Sequence, residues 1–118
     1  MSASDPVIDV RENPAARQYE ALAGDTVVGS IKYWPHGDRV VFGHTTVDSA
    51  YRGKGVARRL VKLALDDVAA RKQTLTNYCP FVAGYIADHP SYRSLVDARQ
   101  PGPAAGRRRA TRRSRPSS

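Results

Sequence analysis

Residues 47–60, Val-Asp-Ser-Ala-Tyr-Arg-Gly-Lys-Gly-Val-Ala-Arg-Arg-Leu, are where residue type and spacing first promise chemistry. An apolar, strand-like segment runs into a turn, the turn into a Gly-rich basic loop, and the loop straight into an amphipathic stretch. That is how a chain builds a cradle for phosphate. Gly53 and Gly55 let the backbone approach an anion with no Cβ in the way. The free N–H groups of a first helical turn point at the ligand, and the helix dipole favours negative charge there. Arg52 and Lys54 add side-chain cations. Two other phosphate loops are excluded. A Walker loop needs Gly-x-x-x-x-Gly-Lys-Ser/Thr, which does not occur. A dinucleotide fingerprint needs three glycines and an acid about 20 positions on. Here only Gly53 and Gly55 are present, and Gln73 and Thr74 stand where the acid belongs. Alone, the loop is also compatible with a Gly-rich turn that caps a surface helix.

The elements around it follow from periodicity. Val7 to Arg11 reads as an edge strand broken at Glu12-Asn13-Pro14, and Gln18–Ala23 and Thr26–Tyr33 flank the two-residue hairpin signal Gly24-Asp25. In the second of these strands, alternation puts Val27, Gly29, Ile31 and Tyr33 on one face and Val28, Ser30, Lys32 and Trp34 on the other. After the turn Pro35-His36-Gly37-Asp38, residues 39–47 form a further strand rich in β-branched side chains. A helix is predicted over Lys54–Lys72, with Val56, Ala57, Leu60, Val61, Leu63, Ala64 and Val68 on one broad face. Thr74–Tyr78 is a short strand; reached through a helix, it should run parallel to residues 39–47. Phe81–Asp88 forms a second helix, stopped at His89-Pro90, and Tyr92–Val96 a final turn. The predicted class is α+β, a mixed α/β sandwich: an antiparallel meander followed by a β-loop-α-β unit that carries the phosphate loop.

Bulk composition narrows the function classes. The 118 residues suffice for one domain with a modest core. No apolar run approaches the ~20 residues that span a bilayer. The polar start, Met1 to Pro6, has no signal-peptide core, so a cytoplasmic location is expected. The single cysteine, Cys79, permits no intrachain disulfide, and His36, His44 and His89 share no metal-site spacing with it. The net charge of +8 is unevenly spread: residues 1–99 hold 13 Lys/Arg and all 11 acids, whereas residues 100–118 hold six arginines and no acid. That tail has no apolar residue larger than Ala and cannot offset its ordering entropy. The expected organisation is therefore a domain over 1–99 and a disordered Arg-rich tail over 100–118. Through residues 107–115 the tail could make nonspecific, salt-sensitive contacts with nucleic acid or another anionic surface. It lacks interleaved aromatics for base stacking.

Three stretches together resemble the GNAT acetyltransferase superfamily, in particular its short single-domain YjdJ-like branch of N-acetyltransferase domain-containing proteins. They are His44-Thr-Thr-Val47, Tyr51-Arg-Gly-Lys-Gly-Val-Ala-Arg-Arg-Leu-Val61 and Cys79-Pro-Phe-Val-Ala-Gly-Tyr-Ile-Ala-Asp-His-Pro90, and the likeness covers residues 7–97. Within it, Arg52-x-x-Gly55-x-Ala57 matches the loop that holds the pyrophosphate of acetyl-CoA. The resemblance implies a GNAT-like acyl-CoA N-acyltransferase fold, in which two parallel central strands splay and the pantetheine arm lies between them like an added strand. It implies acetyl-CoA, or CoA, as cosubstrate and an amine acceptor, possibly on a protein or peptide. The cofactor would be held by Arg52, Gly53, Lys54, Gly55, Val56 and Ala57, with the backbone of Thr46 and Val47 as the strand edge facing Tyr78. An N–H at the developing oxyanion would be the largest catalytic contribution. Many members of the branch carry Glu where Thr46 stands, so the base is unassigned.

Candidates for the remaining chemistry each keep two readings. Cys79 is a nucleophile or polar neighbour of the thioester, or a buried small hydrophobe. Tyr85 is an acid for the departing thiolate or a CoA contact, or core packing. His44 is a base suited to neutral pH, or a sheet histidine bonded to a neighbour. Three functions compete: an acetyl-CoA-dependent N-acetyltransferase, a CoA-binding module with weak or no catalysis, and a nucleic-acid binder driven by the tail.

Overall fold

The computed structural model describes residues 7–103. Five strands, β1 (Ile8–Asn13), β2 (Gln18–Ala23), β3 (Thr26–His36), β4 (Arg39–Val47) and β5 (Thr74–Asn77), form one sheet in chain order. The first four make an antiparallel meander. β5 pairs with β4 in parallel, from Arg39 opposite Thr74 to Phe42 opposite Asn77, as the helical crossover requires. That helix, α1 (Val56–Ala70), lies across the sheet, and a shorter one, α2 (Pro80–Asp88), follows β5. The mixed α+β architecture predicted from periodicity is present.

One core lies between α1 and the sheet. Val56, Leu60, Val61, Ala64, Leu65 and Val68 are buried along the helix against Tyr19, Ile31, Tyr33, Val40 and Phe42. The helix sits close: a Cβ added to Gly29 would lie 3.2 Å from Leu60 Cδ1 and 3.3 Å from Val56 Cγ1. Among the described residues no helix covers the other sheet face over β2, β3 and β4, where Ser30, Lys32, Trp34 and Thr46 lie. Below, this is the bare face.

Two β-bulges correct the simple alternation. Ala21 pairs with Gly29 but Leu22 with Val27, so Val28 has no partner of its own. Val28 is buried and Val27 is exposed, the reverse of the predicted faces. The second bulge is in β4: Ile31 pairs with Thr45 and Tyr33 with Phe42, so Gly43 and His44 both stand opposite Lys32. Such an insertion puts two consecutive residues on one face and bends the strand. The Trp34 ring lies over Gly43, where a Cβ would come within 2.6 Å of it. Phe42 and Thr45 therefore face the helices, and His44 and Thr46 the bare side.

Several boundaries also move. β1 runs on to Asn13 and β3 through Pro35 to His36, while α1 begins at Val56 rather than Lys54. The six arginines of the tail lie outside the described residues. Gln100, Pro101 and Gly102, placed in the tail by composition, run beside β5, where Pro101 O accepts from Asn77 N–H at 2.8 Å and Gln100 O from the Thr76 hydroxyl at 2.5 Å.

Candidate functional site

At the end of β4 a 3-10 turn, Ser49–Tyr51, leads into the glycine loop. Gly53 and Gly55 both adopt φ of +79°, a left-handed conformation that side-chain-bearing residues enter only at a cost. Gly55 is the N-cap of α1, with no side-chain cap. Among the described residues no acceptor meets the N–H groups of residues 53–58, and the first helical turn carries no acid. Those donors and the basic residues Arg52, Lys54, Arg58 and Arg59 make an electropositive rim. Arg52 Nε donates to Val47 O at 3.2 Å and so ties the loop to the strand end.

A cavity of about 280 Å³ opens here. Val47, Arg52, Gly53, Gly55, Val56 and Ala57, all expected at the cofactor, line it. Tyr51, Arg58 and Phe81 line it as well and were not foreseen. Phe81 stood at the start of the predicted second helix, and nothing in the pattern told its exposure or its direction. Lys54, Thr46 and Tyr78 lie outside this cavity.

Val47, in the lining of this cavity, is also the last residue of β4, beside a gap in the sheet. β4 and β5 pair only as far as Phe42 and Asn77, closed by a hydrogen bond from Tyr78 N–H to Phe42 O at 3.0 Å. β4 then continues to Val47 paired only with β3, with no strand of the described residues on its other side, while the chain beyond β5 turns away into α2. Backbone directions along this edge follow from the other side. Asp48 N–H donates to Val28 O at 2.8 Å, so the pair two steps back, Ser30 with Thr46, is also hydrogen-bonded. Thr46, expected at the open edge with Val47, thus turns its backbone groups to β3. Thr45 and Val47 face the gap.

The three catalytic candidates separate. Cys79, 2 % exposed, is the N-cap of α2, and its Sγ lies 3.2 Å from Thr45 Oγ1, on the helix side of the gap. Tyr85 lies later in α2, stacked on His89 with ring centroids 4.1 Å apart, and His89 Nδ1 meets Tyr85 O at 3.0 Å. His44 is exposed on the bare face beside Thr46, whose hydroxyl lies 3.4 Å from that of Ser30. Tyr78, 52 % exposed, stands at the mouth on the β5 side. Among the described residues, no helix is long and apolar enough to cross a membrane, and no group of three His, Cys, Asp or Glu converges as a metal site.

An unpaired strand edge beside a parallel partner that ends early leads to a glycine loop at a helix N-terminus, so backbone hydrogen-bonding groups and an electropositive rim lie next to each other. The family comparison agrees: residues 18–95 match the model described as GCN5-related N-acetyl-transferase, and the chain belongs to that family. Curated relatives include Protein NATD1 of Gallus gallus and of Mus musculus, each 38% identical over 55 residues, which is 46% of this chain and 50% of theirs. The Homo sapiens protein of the same name is 38% identical over 55 residues, 49% of its length. The chain spans about half the length of these relatives.

Proposed function

We propose that this protein transfers an acetyl group from acetyl-CoA to an amine presented to the bare face of the sheet, the amine being on a protein or peptide. The observation that carries this is the unpaired edge of β4 inside an otherwise paired sheet, running into the loop at α1. The residues fit the cosubstrate. Orphan N–H groups of residues 53–58, with Arg52 and Lys54, suit a pyrophosphate. The outward backbone groups of Thr45 and the Val47 N–H suit pantetheine amides and a thioester carbonyl. Bound acetyl-CoA supplies an activated acyl carbon: the N–C bond forms, the C–S bond breaks, and the thiolate leaves to take up a proton.

The two faces of the gap support the remaining roles. The helix side is closed by the Thr45–Cys79 contact, so the acceptor approaches from the bare side. His44 stands on that side and is the base that takes the ammonium proton. Cys79 and Tyr85 lie on the other; Cys79 acts as a wall of the gap and Tyr85 as packing. The open, helix-free face accommodates a large acceptor.

A second reading, a CoA-binding module without efficient transfer, is favoured by one feature: Thr46 and Ser30 present hydroxyls where a carboxylate base would sit. Turnover separates the two. Both predict binding of acetyl-CoA and CoA by isothermal titration. Only transfer predicts release of CoA thiol when a lysine-bearing peptide mixture is added. No binding of either cofactor would overturn both readings.

A further inference from the structure

The sheet has two outer edges, and the chain treats them differently. Along β5 a strap of residues 97–102 takes the outward backbone groups: Leu75 O accepts from Asp97 N–H at 2.8 Å, and Asn77 N–H donates to Pro101 O at 2.8 Å. Along β1 no strand of the described residues pairs on the outer side. Which groups are free there follows from alternation. Tyr33 N–H donates to Arg17 O at 3.0 Å, so Arg17 turns its backbone to β3 and Gln18, one step on, turns to β1. Glu20 and Leu22 do the same, and the residues opposite them, Asn13, Arg11 and Asp9, turn inward to β2. Ile8, Val10 and Glu12 therefore send N–H and C=O outward. Their side chains lie on the helix face, with Val10 opposite buried Ala21. Asp9 and Arg11 place their side chains on the bare face.

An open edge is a template for another strand, and charges commonly guard it. On β1 the order of the charges fits one partner, a second copy of this chain. A two-fold axis through Val10, perpendicular to the sheet, sets Val10 against Val10, Ile8 against Glu12 and Asp9 against Arg11. The outward groups of Ile8, Val10 and Glu12 then meet only outward groups, so an antiparallel ladder closes over residues 8–12. Each Asp9–Arg11 pair falls at a non-hydrogen-bonded position, where facing side chains are closest. A slip of two residues sets Asp9 against Asp9 in one direction and Arg11 against Arg11 in the other. A slip of one opposes outward groups to inward ones. Both charges are available. Asp9 is exposed and has no cation in salt-bridge contact among the described residues. The Arg11 side chain is 63% exposed and comes only within 4.0 Å of Glu20.

We propose that β1 is a homodimer interface, in which two copies pair antiparallel about Val10 with the register fixed by the two Asp9–Arg11 pairs. The axis joins the two sheets into one and puts both bare faces on the same side. A closed two-fold contact consumes the edge, so assembly stops at two copies. The gap beside β4 lies beyond β2 and β3, and the contact forms whatever that gap binds.

Sedimentation equilibrium on the full chain tests this. Wild type should show a concentration-dependent equilibrium of monomer and dimer. Asp9→Arg sets arginine against Arg11 in both pairs and should weaken the dimer by at least about tenfold. Val10→Pro removes an N–H that the monomer leaves unpaired, so the fold should stand while the dimer is lost. Arg11→Asp should be monomeric alone and should dimerise with Asp9→Arg on mixing, since the mixture restores both opposite-charge pairs. If Arg11→Asp does not fold beside Glu20, the first two variants decide. Amide hydrogen exchange reads the contact residue by residue. Raising the protein concentration should slow Ile8, Val10 and Glu12 and leave Asp9 and Arg11, already bonded to β2, unchanged. Wild type that stays monomeric up to about 1 mM overturns the proposal. So does a dimer that survives both Asp9→Arg and Val10→Pro, or exchange at Val10 that ignores concentration.

Discussion

The two ends of α1 treat polar groups in opposite ways. At its C-terminal end the chain builds a closed clasp. Arg71 bridges Glu12 at 2.6 Å and Asp67 at 3.2 Å. Glu12 also accepts from the Tyr33 hydroxyl and Asp67 from the Tyr19 hydroxyl. Two buried tyrosines, two carboxylates and one guanidinium satisfy one another and tie the helix to β1, β2 and β3. At the N-terminal end little is satisfied internally: the N–H groups of residues 53–58 and the outward backbone groups of Thr45 meet no partner among the described residues, and Val47 O meets only the Arg52 side chain. The closed end contributes to stability, whereas the open end leaves donors available to a ligand.

The largest blow to the open end is Gly55→Leu. A side chain at φ of +79° costs about 1–2 kcal/mol in the backbone, and the new carbons enter the cavity that the phosphates require. We expect acetyl-CoA affinity to fall by about 100-fold, or about 2.8 kcal/mol, with the circular dichroism spectrum retained. Unchanged affinity would move the phosphates elsewhere and break the comparison. His44→Ala probes the same end through chemistry. Loss of a general base costs roughly 10²–10⁴ in rate, so we expect kcat to fall by at least about 100-fold while acetyl-CoA affinity stays within about twofold. A KM effect alone would remove His44 from the proton path.

The closed end should answer in stability. Arg71→Ala leaves Glu12 and Asp67 facing each other without a cation. Because half of the Arg71 side chain is exposed, the expected loss is about 1–2 kcal/mol rather than the larger figure for a buried pair. The melting point should drop several degrees with acetyl-CoA affinity unchanged. The acid limb sharpens the test. Burial raises the Glu12 carboxyl, but Arg71 and the Tyr33 hydroxyl outweigh it and hold it below its ordinary value of 4.5. A depressed carboxyl contributes its stability above 4.5 and loses it as pH falls through the folded value. Wild type should therefore lose stability below 4.5 more steeply than Arg71→Ala. On the alkaline side the sign reverses. Burial, then the hydrogen bond to Glu12, pushes Tyr33 from 10.0 to about 12. Its contribution is complete below pH 10 and vanishes as pH rises through about 12, so Tyr33→Phe should flatten that limb.

The open end was the more legible of the two. Glycines, basic residues and a 3.6-residue period follow one another in a single short stretch, so loop and helix could be read from spacing alone. The clasp joins Glu12, Tyr19, Tyr33, Asp67 and Arg71 across 59 residues of chain, and no local pattern reports such a meeting. Alternation failed at Val27, Val28 and the Gly43–His44 pair because a bulge adds a residue that a two-residue period cannot count. Gly43, a lone glycine in a β-branched strand, was the available sign. Asn77 gave less warning still: an asparagine before a helix reads as a turn former, and the hydrogen bonds of its side chain to the N–H and the carbonyl of Cys79 are a property of the folded turn. The strap over residues 100–102 was hidden because composition weighs side chains, whereas Pro101 binds β5 through its backbone carbonyl.

The smallest expected effect is at Cys79. Its Sγ contacts Thr45 Oγ1 in a site that is 2 % exposed, on the helix side of the gap, where no titratable partner bonds to it. A thiol becomes a nucleophile beside a cation or a base, and Cys79 has neither within hydrogen-bonding reach. Cys79→Ala removes one sulfur from a packed wall, for which about 1 kcal/mol of stability is the expected cost. The acetyl transfer rate should stay within about threefold of wild type, the scale of a wall residue rather than of a nucleophile. Wild type incubated with acetyl-CoA should show no added acetyl on Cys79 by intact mass and peptide mapping. Acetylation there, together with a collapse of the rate in Cys79→Ala, would put reacting atoms on the helix side of the gap. The bare face would then lose its role as the acceptor's approach, and His44 its role as base, while the phosphate loop would stand unaltered.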